Sequence, residues 1–218
     1  MKDMPEQSVD FVLTDIPYAA VNKRLKEVNP FREKKGWSKR GKADEATFSL
    51  EQFLSLVSKT TKKSIVIFCG IEQLGQIYTY FRDTLEWPTR QLVWAKTNPP
   101  VVNGDKMYLS GTENAVWAKR PGAPFKAKCK TNVFRHPIGG GCGEIIHPTE
   151  KNHELLRELI LDNTEPNDLI FDPCAGSGST LLVAAQEGRR SVGCELNDIY
   201  YQKAKERLDR AGFQPVLF

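Results

Sequence analysis

The 218-residue chain has no run of eighteen apolar residues and no basic-then-apolar leader at its start. Neither a membrane-spanning helix nor a secretory signal is therefore expected, and a cytoplasmic protein is the default. Cysteine is sparse: Cys69, Cys129, Cys142, Cys174 and Cys194 form no CxxC pair and are odd in number. That fits reduced thiols better than a paired disulfide framework. His136 and His147 interleave with Cys129 and Cys142, but at no standard zinc spacing, so no metal is expected. Internal repeats and low-complexity segments are missing too. The length suits one domain, residues 1–218, with insertions and a substantial core.

Acidic charge is what two segments lack. Residues 19–47 hold nine Lys/Arg against four Asp/Glu, and residues 88–136 hold nine against two. These segments carry net charges of +5 and +7 in a chain of net charge +4, so the remaining residues sum to −8. Two basic segments on an acidic body, interleaved with Phe31, Trp37, Trp94, Tyr108 and Phe134, point to a polyanion such as nucleic acid.

The most informative stretch is 168–197, DLIFDPCAGSGSTLLVAAQEGRRSVGCELN. Leu169, Ile170 and Phe171 form an apolar run suited to a buried parallel strand, and Ala175 to Gly178 make a turn after it. A helix from Ser179 to Glu187 and a short strand from Ser191 to Cys194 follow, the latter ending on Glu195. Gly176 and Gly178 allow positive φ and close approach of a ligand to the backbone. An acid about twenty residues beyond such a turn can accept hydrogen bonds from ribose hydroxyls. The third glycine of the dinucleotide fingerprint is absent, because Leu181 stands in its place. This favours a nucleoside cofactor without phosphate, such as S-adenosylmethionine.

Residues 8–18, SVDFVLTDIPY, make a second strand that ends on an acid, a proline and an aromatic. Pro17 fixes its own φ and holds Ile16 extended, so Asp15, a backbone carbonyl and the Tyr18 ring can share one small pocket. Between the two stretches strands and helices alternate. A helix capped by Ser49 with Gln52 runs to about Thr60, a strand covers 64–69, and a helix extends from Ile71 to about Leu85. Strands near 90–95 and 113–118 and helices near 150–163 and 198–211 complete the set. The fold class expected from this alternation is α/β, with a largely parallel sheet covered on both faces.

These motifs resemble those of the β-group DNA amino-methyltransferases, in which the catalytic motif precedes the cofactor motif. DIPY (Asp15, Ile16, Pro17, Tyr18) resembles the family's DPPY, and FDPCAGSGST at 171–180 its glycine loop. HPTEK at 147–151 resembles the segment that closes over the methionine end of the cofactor, and SIVIFCG, WAKTN and ENAVWAKR are weaker echoes. The resemblance implies a circularly permuted Rossmann-like methyltransferase with a mixed, mostly parallel seven-stranded sheet. It implies that Asp15 and the Ile16 carbonyl hold an exocyclic amino group and that Tyr18 stacks on a flipped-out base. On the cofactor side it implies Asp172 at the methionine ammonium, Pro173, Ala175, Gly176, Ser177 and Gly178 along the methionine and ribose, and Glu195 at the ribose hydroxyls. His147, Thr149 and Lys151 would close over the same end. Lys34, Lys35, Lys39, Arg40, Lys42, Lys106, Lys126, Lys128 and Lys130 would contact double-stranded DNA. The family's setting is a bacterial or phage-like nucleoid, and a homodimer and a cognate restriction enzyme stay open as partners.

Two departures carry expectations of their own. Ile16 replaces the family's usual proline, which predicts a less rigid turn. The sequence begins almost at the SVDFVLTD strand, whereas relatives carry an upstream strand whose end contacts the cofactor's adenine. Either one wall of that pocket is expected from elsewhere, or the cofactor is expected to be held less tightly. The acid in DIPY leans to adenine N6 over cytosine N4. An RNA or protein-glutamine methyltransferase and a non-catalytic nucleic-acid-binding relative stay open; a cytosine-C5 enzyme with Cys174 as nucleophile does not, because Cys174 would face the cofactor. Neutralising Lys34, Lys35, Lys39 and Lys42 together is expected to flatten the dependence of DNA affinity on salt, measured as the slope of log K against log salt concentration. An unchanged slope removes this segment from the phosphate surface.

Overall fold

A computed structural model describes residues 4–18, 48–101, 104–139, 150–213 and 216–218. The first strand, β1 (Val9–Asp15), is followed by helix α1 (Leu50–Thr60) and strand β2 (Thr61–Cys69). Ser49 caps α1, its hydroxyl accepting the Gln52 N–H at 3.4 Å. Helix α2 (Ile71–Thr79) leads into a single π turn, Tyr80–Thr84, where the Leu85 N–H reaches back to the Tyr80 carbonyl. The expected helix to Leu85 is thus regular only as far as Thr79. The wide turn places Phe81 in the core, its ring centroid 5.4 Å from that of Trp87.

Strands β3 (Thr89–Lys96), β4 (Thr112–Lys119) and β5 (Val133–His136) come next. They precede α3 (His153–Asn163), β6 (Leu169–Asp172), α4 (Ser179–Gln186), β7 (Arg190–Gly193), α5 (Asp198–Arg210) and β8 (Val216–Leu217). The sheet order is β5-β3-β4-β2-β1-β6-β7-β8. Seven strands have four residues or more, as expected, and the two-residue β8 adds an eighth at one edge. Sequence reading misses β5 because VFRH sits within a basic loop. Tertiary contacts make it a strand: Phe134 is buried, and the Trp94 indole donates to the His136 carbonyl at 2.8 Å.

Among these strands β4 alone runs against the others, pairing antiparallel with both β2 and β3. The carboxyl ends of the parallel strands therefore share one edge of the sheet with the amino end of β4. Strand β1 lies between β2 and β6, with Val12 opposite Ile65 on one side and Phe171 on the other. It is apolar on both faces, and its period-two alternation assigns each side chain to a core. Val12 packs with Phe53, Val57 and Ile77 of α1 and α2, whereas Phe11 and Leu13 pack with Leu155, Leu159 and Val183 of α3 and α4.

Leu181 of α4 is fully buried and packs where β7 carries Gly193. A Cβ on Gly193 would meet Leu181 Cδ1 at 2.9 Å and Ala175 Cβ at 3.0 Å. Gly193→Ala is expected to destabilise the protein by about 1–3 kcal/mol in urea unfolding. Gly75→Ala, on the exposed face of α2 with nothing near the new methyl, is expected to stabilise by about 0.5–1 kcal/mol.

Candidate functional site

The tip of β1 is fixed from three sides. The Ile16 N–H donates to the Phe68 carbonyl at 3.2 Å, the last rung between β1 and β2, and the Ile16 side chain is buried. A proline here would have no N–H for this bond. Ile16 thus contributes a hydrogen bond and a buried side chain to the turn. Pro17 ends the ladder, and its carbonyl accepts from the Gln73 amide at 2.9 Å while Gln73 Oε1 caps the Gly70 N–H of α2 at 3.0 Å. Gly70 leaves room for Tyr18, whose Cβ lies 3.4 Å from where a side chain on Gly70 would begin.

Four charges meet beside this tip. Lys151 Nζ lies 2.5 Å from Asp15 Oδ2 and 3.1 Å from Glu113 Oε2, and Lys96 Nζ lies 2.8 Å from Glu113 Oε1. The Tyr18 hydroxyl donates to Glu113 Oε2 at 3.2 Å. The Lys151 ammonium also lies over the rings of Phe68 and Tyr18, at 5.2 and 5.6 Å from their centroids. Burial works against the charge on Lys151, but the carboxylates of Asp15 and Glu113 outweigh it and hold its pKa above the ordinary lysine value. Burial likewise opposes ionisation of Glu113, and Lys151 and Lys96 reverse that, keeping it below the usual carboxylate range. For Asp15 burial prevails over Lys151, and its pKa is raised. Asp15 Oδ1 is buried with no hydrogen-bond partner among the described residues.

On the neighbouring strand, β6 ends at Asp172 and the chain turns through Pro173 to Gly178. Gly176 and Gly178 take φ of +52° and +74°. At Gly178 a Cβ would stand 3.1 Å from that of Ala204 on α5, so only glycine fits. Glu195 spans the loop and the start of α5: one oxygen accepts the Gly176 N–H at 2.7 Å, the other the Asn197 N–H at 2.8 Å. Arg207 of α5 braces the loop from behind, 3.3 Å from the Ser177 carbonyl and 2.8 Å from Glu150. Burial pushes Asp172 up to about 6, against the pull of the Thr180 and Thr14 hydroxyls. Burial also raises the Cys174 thiol far above its usual range, as a packed side chain and not a nucleophile.

Asp15, Ile16, Pro17 and Tyr18 thus lie at the end of β1, and Asp172, Pro173, Ala175, Gly176, Ser177, Gly178 and Glu195 at the ends of β6 and β7. Both groups occupy the carboxyl edge, on adjacent strands, and Asp15 is close enough to add to the raised pKa of Asp172. Lys151 pairs with Asp15 at the β1 tip and with Glu113 at the start of β4. His147 and Thr149 fall outside the described residues, as do Lys34, Lys35, Lys39, Arg40 and Lys42.

Lys106 is exposed on the loop between β3 and β4, at the carboxyl edge. Lys126, Lys128 and Lys130 instead lie at the opposite edge. Lys126 bonds Glu165 and the Thr164 carbonyl beyond α3, and Lys130 bonds Glu158 and Asp162. Three acids of α3 and the turn after it thus pair with Lys126 and Lys130, and these three lysines lie away from the tips of β1 and β6. Glu113 and Lys96 escape sequence reading. Only the reversed direction of β4 brings residue 113 to the edge where β3 ends, and that direction is not legible in ENAVWAKR.

The buried charge of Asp172 has a pH signature. Its folded pKa lies above the ordinary 3.8, so a stability penalty develops as pH rises from about 4 to 6 and is complete above that. Asp172→Asn removes the penalty and keeps an acceptor for the Cys174 N–H. The variant is expected to be more stable than wild type by about 2–3 kcal/mol at pH 7, with no difference at pH 4, in urea titrations of the unliganded protein.

Comparisons with known proteins agree with this geometry. The model of the N6/N4 DNA methylase family matches residues 9–206. YubD of Escherichia coli (strain K12), a protein named as a methylase, is 30% identical over 213 residues, across 95% of this chain and 85% of that one. The type II methyltransferase M.HinfI of Haemophilus influenzae is 25% identical over 253 residues, with 95% of this chain covering 65% of its length. Among solved structures, the M1.HpyAVI–SAM complex gives a TM-score of 0.70 at 24% identity over 95% of this chain and 91% of that chain. PvuII DNA methyltransferase, named as cytosine-N4-specific, gives 0.72 at 18% identity over 94% and 81%. With a family match that spans both strand tips and everything between them, the chain belongs to the N6/N4 DNA methylase family and is a DNA methyltransferase.

Proposed function

We propose that the protein methylates the exocyclic N6 of adenine in double-stranded DNA, on a base rotated out of the helix. The observation that carries this reading is the placement of Asp15 Oδ1, a buried acceptor without a partner among the described residues, beside a glycine loop on the adjoining strand. The choice of adenine rests on the acid that heads the DIPY tetrapeptide.

S-adenosylmethionine supplies an electrophilic methyl group. The residues of the chain have four tasks around it. Gly176 and Gly178 let the backbone follow the methionine and ribose closely, and Glu195 offers carboxylate oxygens to a ribose diol. Leu196, Ile199 and Phe218, all exposed around the start of α5 and the edge strand β8, give apolar surface for adenine. Asp172, ionised at neutral pH despite burial, faces the ammonium. At the other tip, Asp15 Oδ1 and the Ile16 carbonyl accept the two amino hydrogens of the target.

Those hydrogen bonds matter because the amino lone pair is delocalised into the base. Drawing the hydrogens towards two fixed acceptors turns the nitrogen towards tetrahedral geometry and stabilises the positive charge that develops on it. The proton then shed by that nitrogen has Asp15 as its nearest acceptor, and a carboxylate whose pKa is raised takes it more readily. Rotating the base out of the stack costs a few kcal/mol, offset here by stacking on Tyr18 and by the polar contacts.

The test is transfer of labelled methyl from S-adenosylmethionine to unmethylated DNA, followed by digestion to nucleosides. N6-methyladenine is expected; N4-methylcytosine would reassign the base, and unlabelled DNA would overturn the reading. Asp15→Ala is expected to lower transfer at least about a hundredfold with cofactor affinity nearly unchanged. Glu195→Ala is expected to weaken cofactor binding by tenfold or more, about 1.4 kcal/mol, by calorimetry.

A further inference from the structure

We propose that Lys151 and Glu113 are positioning residues for methyl transfer: Lys151, clasped between two carboxylates, holds one oxygen of Asp15 and leaves the other as the acceptor for the target amino group. This rests on the reading of Asp15 given above. The two Asp15 oxygens are not equivalent. Oδ2 is 2.5 Å from Lys151 Nζ, whereas Oδ1 is buried and has no hydrogen-bond partner among the described residues. A buried acceptor left unsatisfied is unfavourable, and the ligand that relieves it must bring an N–H or O–H. An exocyclic amino group brings N–H, and the carboxylate must be ionised to accept it.

Lys151 favours the ionised form against the burial that raises the Asp15 pKa: it is a cation in contact with Asp15, and its side chain is only 9% exposed. Its own placement depends on Glu113, which comes from the reversed strand β4. Glu113 bonds Lys151 through Oε2, which also receives the Tyr18 hydroxyl, and bonds Lys96 through Oε1. One carboxylate thereby aligns the cation that orients Asp15 and the ring proposed to stack on the base. Two lysines against two acids balance in formal charge, so an ionised Asp15 presents no net charge to the incoming base.

The groups that act on Asp15 from the surrounding elements are few. Lys151 favours its ionised form, Glu113 of β4 opposes it, Tyr18 on its own turn favours it, and Cys69 of β2 and Asp172 of β6 also feel its charge. Lys96 acts on it through Glu113. Removing Lys151 and removing the charge of Glu113 should therefore move the titration of Asp15 in opposite directions. A plain structural ion pair predicts no such opposition in the rate.

The test uses the whole protein and two readouts. The first is carbon-13 NMR titration of the Asp15 carboxyl, assigned with Asp15→Asn, in wild type, Lys151→Met and Glu113→Gln. The second is the pH dependence of single-turnover methyl transfer to unmethylated double-stranded DNA at saturating S-adenosylmethionine. Lys151→Met is expected to raise the Asp15 midpoint and the acidic limb of the rate together by about one pH unit or more, and to slow transfer at least tenfold at neutral pH. Glu113→Gln is expected to lower both midpoints. Cofactor affinity, by calorimetry, is expected to stay within about threefold of wild type. If the NMR midpoint does not move, or moves the same way in both variants, the coupling is wrong and the proposal falls. If the midpoints separate as expected but the rate does not follow, the role assigned to Asp15 is wrong and takes the proposal with it. A parallel loss of cofactor affinity would place Lys151 in the cofactor site and overturn the proposal. Should Lys151→Met fail to fold, as judged by circular dichroism, Glu113→Gln decides by its direction.

Discussion

Strand β1 hydrogen-bonds β2 on one side and β6 on the other, and is buried on both faces. Because neighbouring strands lie about 4.8 Å apart, this pairing fixes the separation of two loops distant in the chain. The DIPY turn leaves the end of β1, and the glycine turn leaves the end of β6. A slip of one residue in β1 would reverse its faces, placing Phe11 and Leu13 against α1 and α2 and turning Asp15 away from the edge. The core thus specifies the register, and the register places the two ligand loops beside each other.

Around that constraint, polar groups are used sparingly and each is tied down. Gln73 serves both α2 and the DIPY turn, Glu195 both the glycine turn and the start of α5, and Arg207 both the glycine turn and Glu150. Each side chain couples two elements that move independently in an unfolded chain. Loops that change conformation on binding pay an ordering cost at that moment; the described parts of this site are already held in place.

Much of the fold was legible in the chain. The apolar runs VDFVL and DLIF, the glycine spacing, Leu181 and the cap at Ser49 all have local causes, and the elements they imply are present. What was not legible depends on partners remote in sequence. The π turn after Thr79 exists because Phe81 packs on Trp87, and β5 exists because Trp94 and the β3 edge hold it. Glu113 becomes part of the site through the direction of one strand. Charge along the chain is incomplete in a comparable way: Lys126 and Lys130 meet Glu158 and Asp162 of α3 and Glu165 in the turn after it. Net charge along a segment counts cations without their counterparts, and only tertiary structure reveals how many are already neutralised.

Leu181 and Gly193 bear on how this site relates to other nucleoside sites. Dinucleotide folds thin the helix, where a glycine lets it pack closely on the sheet. Here the thinning is in the strand, and the helix keeps a leucine that fills the space. A glycine at 181, with Gly193 opposite, would leave a void between helix and sheet. The close fit of helix on sheet is in this way secured from the strand, within the hydrophobic interior and away from any ligand.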